Sequence, residues 1–274
     1  MNPDFKNPML RISEQIESEI KYHNLRKRKE VENLRISFIR QIPSTVTVEI
    51  DLSQIGERDK ISFFSDSILD ILCFALSRSY KKYPKVNSTY IDEKSYMEFS
   101  QMDIGIAFDD SSNLKVLALK NPALLSLPEI QEEIIKLLEL YSSGNTIPME
   151  YFNSTITVTD LSRIGVTQCV PVLSMGQAVI IGITRPKPGS FFLNCTYDHQ
   201  ILEGKYISDF LNLLSKQILS IYESISSNAD LSCSACGKSV NEELEISPQN
   251  RGLIVLRKSN LEEILLCRVC FEGY

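Results

Sequence analysis

Two groups of residues in this 274-residue chain have the types and spacing to do chemistry. The first is four cysteines, Cys233/Cys236 and Cys267/Cys270, arranged as two CxxC pairs with 30 residues between them. A CxxC loop turns two thiolates toward one ion. Four thiolates complete the closed tetrahedral shell of structural zinc and leave no open position for catalysis. Gly237 follows the first pair and permits the tight turn of such a loop. Disulfides are the competing reading, disfavoured because the chain begins without the apolar stretch of a secretory signal. The second group centres on His199, one of two histidines. His23 stands in a charged segment and reads as a solvated surface residue. His199 follows the strand-forming run Phe191–Tyr197 and precedes Glu203-Gly204. A strand-to-loop corner on a rigid scaffold can aim a general base. It suits a structural histidine somewhat better, and the residues alone leave both readings open.

The elements that must position these groups follow from the apolar pattern. Residues 12–40 lack Gly and Pro and predict a helix, which carries the basic run Arg26–Lys29. Thr45–Ile50 alternates with period two and predicts a half-buried strand. Ser65–Tyr83 predicts a helix with an apolar stripe at Ile68, Leu69, Leu72 and Leu76, ending before Pro84. Strands are expected around 96–108 and 114–119, then an amphipathic helix over 127–140 with Pro128 in its first turn. Thr155–Thr159 and Ala178–Thr184 are apolar on both faces and predict central strands. Phe191–Tyr197 is a further strand and Tyr206–Ile221 a final helix. Ser226–Asp230 has loop composition.

This order predicts an α+β body over residues 1–226, with 1–24 as a helical extension, and a small four-cysteine zinc module over 227–274. The module is too short to bury an adequate core. Metal binding, worth about 10 kcal/mol or more, would supply the missing stability. The three other cysteines, Cys73, Cys169 and Cys195, lie in apolar segments and read as core residues. With 43% hydrophobic and 23% charged residues the composition is globular, and the net charge of −6 argues against a general polyanion binder. The expectation is a cytoplasmic protein with no nucleic-acid and no membrane partner, since no stretch approaches the roughly 20 apolar residues of a membrane span.

Several strings, in order, carry a family resemblance. Tyr197-Asp198-His199-Gln200-Ile201-Leu202-Glu203-Gly204 resembles the DHxxxDG signature of the dihydrolipoamide acyltransferase core of 2-oxo-acid dehydrogenase complexes, which has the chloramphenicol-acetyltransferase-like fold. Pro84-Lys85-Val86-Asn87 looks like the family's P-x-x-N turn after a helix. Met102-Asp103-Ile104-Gly105-Ile106-Ala107 is similar to its DIGVAV strand. Thr157-Val158-Thr159-Asp160-Leu161 resembles TISNLG, and Gln177-Ala178-Val179-Ile180-Ile181-Gly182 resembles QAAILG. The resemblance covers most of residues 25–222 and implies a mixed sheet flanked by helices.

It also implies a reaction: acyl transfer between a dihydrolipoyl thioester and coenzyme A, with His199 as base on the thiol, Thr159 as hydroxyl donor to the oxyanion, and Glu203 as a brace on the active-site loop. Glu203 stands where the family has Asp, which pairs with an Arg; Gln200 stands where Arg commonly follows the His. The site would form between copies of a homotrimer or a multiple of trimers, with CoA or lipoyl substrates supplied in trans, because no lipoyl or peripheral-subunit-binding segment is evident. Arg26–Lys29 reads as a solvated face that can also reach phosphate. The residues that would hold coenzyme A are not identifiable. The alternative is an inactive oligomeric scaffold that keeps the fold and recruits a protein partner through the zinc module.

Overall fold

The computed structural model describes residues 19–52, 67–109, 114–143, 145–227, 253–257 and 263–267. Helix α1 (Leu25–Arg40) begins at Asn24, whose Oδ1 accepts the Lys27 amide at 2.8 Å. Residues 19–24 are not helical, so the helix is shorter than the Gly- and Pro-free stretch suggests, and residues 1–18 lie outside the described residues. Strand β1 (Pro43–Asp51) follows, then α2 (Leu69–Ser79), β2 (Ser88–Asp92), β3 (Ser95–Glu98), β4 (Ile104–Asp109) and β5 (Leu114–Leu119). Helix α3 (Leu127–Ser142) opens with a capping box between Ser126 and Glu129 and with Pro128 in its first turn. Strands β6 (Ile156–Asp160), β7 (Val179–Lys187) and β8 (Ser190–Asp198) lead to α4 (Gly204–Ser227).

Six strands form one mixed sheet in the order β1-β8-β7-β6-β4-β5. The β6–β7 and β4–β6 pairs are parallel, and the others antiparallel. Period-two alternation gives the sheet two different faces. Val158, Ile181, Ile183, Leu193, Cys195 and Tyr197 point into the apolar core with α2 and α4 residues such as Leu72, Leu76, Ile207, Phe210 and Leu214. The opposite face is polar yet covered: Asn194, Thr196, Asp198, Thr157 and Thr184 are all buried. Their hydroxyls and amides bond to one another. Thr45 and Thr196 meet at 3.0 Å, Thr47 donates to Asn194 at 3.1 Å, and Asn194 Nδ2 donates to Thr184 Oγ1 at 3.0 Å. Pairing of this kind is what burying polar groups requires.

Two further elements differ from the sequence reading. The single strand expected over 96–108 is two strands, and β2 pairs with β3 as a separate hairpin. The cause is the buried Asn87: its Nδ2 donates to the carbonyls of Phe99 at 3.0 Å and Gln101 at 2.9 Å, and its Oδ1 accepts the Thr155 hydroxyl at 2.5 Å. These bonds turn the chain between β3 and β4. Helix α4 also continues through Ser226 and Ser227, where composition predicts a linker; its buried stripe of Ile218 and Tyr222 carries the helix forward.

In the C-terminal region β9 (Leu253–Arg257) and β10 (Glu263–Cys267) form an antiparallel hairpin, with Cys267 opposite Leu253. Cys233, Cys236 and Cys270, expected as zinc ligands, lie outside the described residues. No helix among the described residues is long and apolar enough to cross a membrane.

Candidate functional site

His199 occupies the turn directly after β8, and its side chain is exposed. Three backbone bonds hold the turn. The His199 amide donates to the Ile42 carbonyl at 2.8 Å, and the Ile201 and Leu202 amides both donate to the Asp198 carbonyl at 3.1 Å. Asp198, one residue earlier, is buried at 1% exposure. Its Oδ1 accepts the amides of Ile42 and Gln200, each at 3.1 Å, and the Gln200 side chain at 3.2 Å. Gln200 Nε2 also donates to the Arg40 carbonyl at 2.8 Å. A carboxylate that collects several donors fixes the turn, because a buried acceptor left unpaired would cost about 1–3 kcal/mol. Asp198 is legible in the sequence as part of the motif, but nothing in its type announces this role.

Glu203 is exposed at the foot of α4, where its carbonyl accepts the Ile207 amide at 3.2 Å. Among the described residues no ion pair of its carboxylate is found, and the side-chain bonds within this turn are those of Gln200 to Asp198.

Thr159 sits half-buried on β6, on the polar face of the sheet, with Ala107 and Gly182 as its strand neighbours. Gly182 is required there. A Cβ added to it would meet Cys169 Sγ at 2.5 Å, Pro171 Cγ at 3.5 Å and Thr159 Cγ2 at 3.6 Å. The 162–177 segment therefore lies close over the sheet beside Thr159. It turns at Gly165 and Gly176, both with positive φ. Burial pushes the Cys169 thiol up from its ordinary pKa, so it is a poor nucleophile. Asp160, next in sequence, accepts the Ser162 amide at 2.9 Å and the Ser67 hydroxyl at 2.5 Å, which closes the turn after β6.

The strand register brings His199 and Glu203 onto one turn and keeps Thr159 away from both. The Asp198 amide bonds to Ala178 at the start of β7, whereas Thr159 is paired with Gly182 further along it. About five strand positions and two strand spacings put His199 and Thr159 on the order of 20 Å apart within one chain. They cannot act on the same atom of one substrate from a single copy.

A cleft of about 830 Å³ runs between α1 and the edge strand β5, with Lys29, Leu34, Lys115, Phe152, Ser174 and Met175 among its lining residues. Of the basic run, Lys27 pairs with Glu30 at 2.6 Å and Lys29 faces this cleft. Among the described residues no cluster of three or more His, Cys, Asp or Glu is arranged to hold a metal ion.

A mixed sheet with helices packed on its apolar face and a histidine at the corner of its last strand defines an α+β domain of the chloramphenicol acetyltransferase type. The solved chloramphenicol acetyltransferase superimposes with a TM-score of 0.50 at 10% identity, over 72% of this chain and 96% of that one. Within that class the chain belongs to a particular family: residues 14–225 match 2-oxoacid dehydrogenases acyltransferase (catalytic domain). The lipoamide acyltransferase component of the branched-chain alpha-keto acid dehydrogenase complex of Arabidopsis thaliana is 29% identical over 168 residues, 56% of this chain and 35% of that protein. This chain thus spans about a third of the length of that relative. The dihydrolipoamide acetyltransferase of Azotobacter vinelandii has the same fold, with a TM-score of 0.68 and 19% identity over 77% of this chain and 95% of that one.

Proposed function

We propose that this chain transfers an acyl group between a dihydrolipoyl thioester and coenzyme A, in a site assembled from two copies of a homotrimer. His199 removes the proton from the incoming thiol, whose ordinary pKa of about 8.5 leaves little thiolate at neutral pH. The thiolate attacks the thioester carbonyl. The Thr159 hydroxyl of the neighbouring copy donates to the resulting oxyanion. Collapse of the adduct releases the other thiolate, which recovers the proton from His199, so the base is regenerated and no further reactant is consumed.

The observation that carries this reading is an exposed imidazole on a turn anchored by the buried Asp198 carboxylate, in a chain of this family. The roughly 20 Å that the register leaves between His199 and Thr159 in one copy is the reason for placing the site between copies. Family relatives support the roles. A serine, a histidine and an asparagine of the Azotobacter vinelandii enzyme were investigated in its catalytic mechanism, and that histidine and asparagine stand four positions apart, as His199 and Glu203 do. The rival reading, an inactive scaffold, draws on Glu203, whose carboxylate has no cationic partner among the described residues. Calorimetric titration with coenzyme A and an assay of acetyl transfer from acetyl-CoA to dihydrolipoamide separate the two. Saturable binding and transfer are expected; neither at millimolar ligand overturns the enzyme reading in favour of the scaffold.

We further propose that Cys233, Cys236, Cys267 and Cys270 hold one structural zinc ion. The β9–β10 hairpin lies between the two CxxC pairs in sequence, and Cys267 ends β10, so the donor pairs bracket a hairpin. Bound zinc would cross-link a stretch too short to bury a core of its own. Elemental analysis of protein purified without chelator should give one zinc per chain, and none contradicts the assignment. A zinc-held tail of this kind offers a surface for a protein partner.

A further inference from the structure

The last residue of α1 and the two that join it to β1 are bonded to both halves of the site at once. On one side, the Arg40 carbonyl accepts Gln200, and Ile42 exchanges bonds with Asp198 and His199. On the other, Gln41 Nε2 donates to the carbonyls of Gln177 at 2.8 Å and Ser174 at 3.4 Å. Gln41 Oε1 rests on the hydroxyl of the buried Ser37, which also reaches the Leu173 carbonyl at 2.6 Å. Gln177 carries the linkage inward. Its side chain is buried, with Oε1 accepting the Thr157 hydroxyl at 2.7 Å and Nε2 donating to the Ser154 carbonyl and hydroxyl, both at 3.0 Å. Thr157 stands two residues before Thr159 on the same face of β6.

We propose that Gln41 is a positioning residue that ties the His199 turn to the 173–177 segment and, through Gln177, to the strand bearing Thr159. The inference rests on His199 and Thr159 being the acyl-transfer pair. In an assembly where the imidazole of one copy must meet the hydroxyl of the next, each copy has to hold its own two contributions at a fixed separation, because any error within the copy becomes an error at the site. Within the α1–β1 link it is the Gln41 side chain that spans to the second half. Its neighbour Arg40 contributes a carbonyl and Ile42 its backbone groups. Reaching carbonyl acceptors needs an N–H donor at this place, and the amide nitrogen supplies two. A misplacement of about 1 Å at reacting groups costs on the order of a hundredfold in rate.

The test uses the full chain with two substitutions. Gln41→Glu keeps length and shape but presents an acceptor to carbonyls. Gln41→Lys keeps a donor. The Glu variant is expected to lose at least about tenfold in kcat with KM within about twofold, and the Lys variant to stay within about threefold of the parent in both. Hydrogen exchange at the His199 amide, which bonds to Ile42, is the readout that does not depend on activity. It should speed up by at least about tenfold in the Glu variant and not in the Lys variant. Parental exchange in the Glu variant, or faster exchange with parental kcat, overturns the proposal. If the parent itself transfers no acyl group, the function proposed above fails, while the exchange result still decides whether Gln41 holds the turn.

Discussion

The Ile42 amide donates to the Asp198 carboxylate at 3.1 Å, and the carbonyl of Ile42 accepts the amide of the residue that follows Asp198 at 2.8 Å. One residue at the start of the sheet thus grips the final turn from both its polar groups, across 156 positions of sequence. The exposed imidazole of His199 owes its fixed location to this clasp rather than to the contact of its own ring with Tyr197, whose ring centroid lies 5.6 Å away. The proposed base has to be held still and yet remain reachable, and the arrangement satisfies both by burying Asp198 instead of His199.

Removing the clasp should loosen that turn. Asp198→Ala removes the buried carboxylate that accepts the amides of Ile42 and Gln200, and a loss of about 1–3 kcal/mol of folding stability is expected. Urea unfolding checks it. An unchanged midpoint would mean that the turn is held by other bonds.

His199→Ala should leave urea stability within about 0.5 kcal/mol of the parent, because the side chain is exposed. The rate of acyl transfer should fall by at least about a hundredfold. An unaltered rate removes His199 from the mechanism.

The close approach at Gly182 predicts a compensating pair. Gly182→Ala drives a methyl into Cys169 Sγ and should destabilise the fold by about 1–3 kcal/mol. Cys169→Ala opens the space, so the double variant should recover at least half of that loss. Additive effects in the double-mutant cycle would show that the two groups do not touch.

Acid stability follows from Asp103. Burial pushes its carboxyl up, but hydrogen bonds from Lys120, Gln101 and the Asn121 amide outweigh burial and hold it below the ordinary value. A depressed carboxylate contributes stability above its unfolded pKa of about 3.9, and that contribution is lost as pH falls through the folded value. The stability gap between the parent and Asp103→Asn should therefore be constant above about pH 5 and shrink below about pH 4. A gap that persists to low pH contradicts the assignment.

Burial pushes the thiols of Cys73 and Cys195 far above the physiological range, Cys73 with help from Asp70 and Asp160. Neither should react with a disulfide reagent until the protein is unfolded by denaturant. Rapid labelling of either in native protein would place it outside the core.

Much of this architecture is readable in the sequence. Strands β6, β7 and β8 and helices α2, α3 and α4 lie where period-two and helical apolar patterns predict them, since those patterns record which side of each element meets the core. The β2–β3 hairpin is not readable. It depends on Asn87 reaching carbonyls of Phe99 and Gln101, and an asparagine's partners are set by tertiary contact. The same holds at the site. His199, Thr159 and Glu203 can be picked out by motif, whereas Gln41, Gln177 and Asp198 act through bonds that leave no periodic trace. The polar sheet face departs from expectation for a related reason: β6 and β7 read as apolar on both sides, but Thr157, Thr159 and Thr184 line a covered face, where the Thr157 and Thr184 hydroxyls bond to neighbouring amides and a carbonyl.

The most direct test of the site between copies is to mix two inactive variants. His199→Ala and Thr159→Val chains are each expected to be inert as homotrimers. Unfolded together and refolded at equal ratio, they should form hybrids of the proposed trimer in which about a quarter of the interfaces join an intact imidazole to an intact hydroxyl, and acyl transfer should return to about a quarter of the parental rate. Hybrid trimers verified by mass that remain inactive would contradict the account.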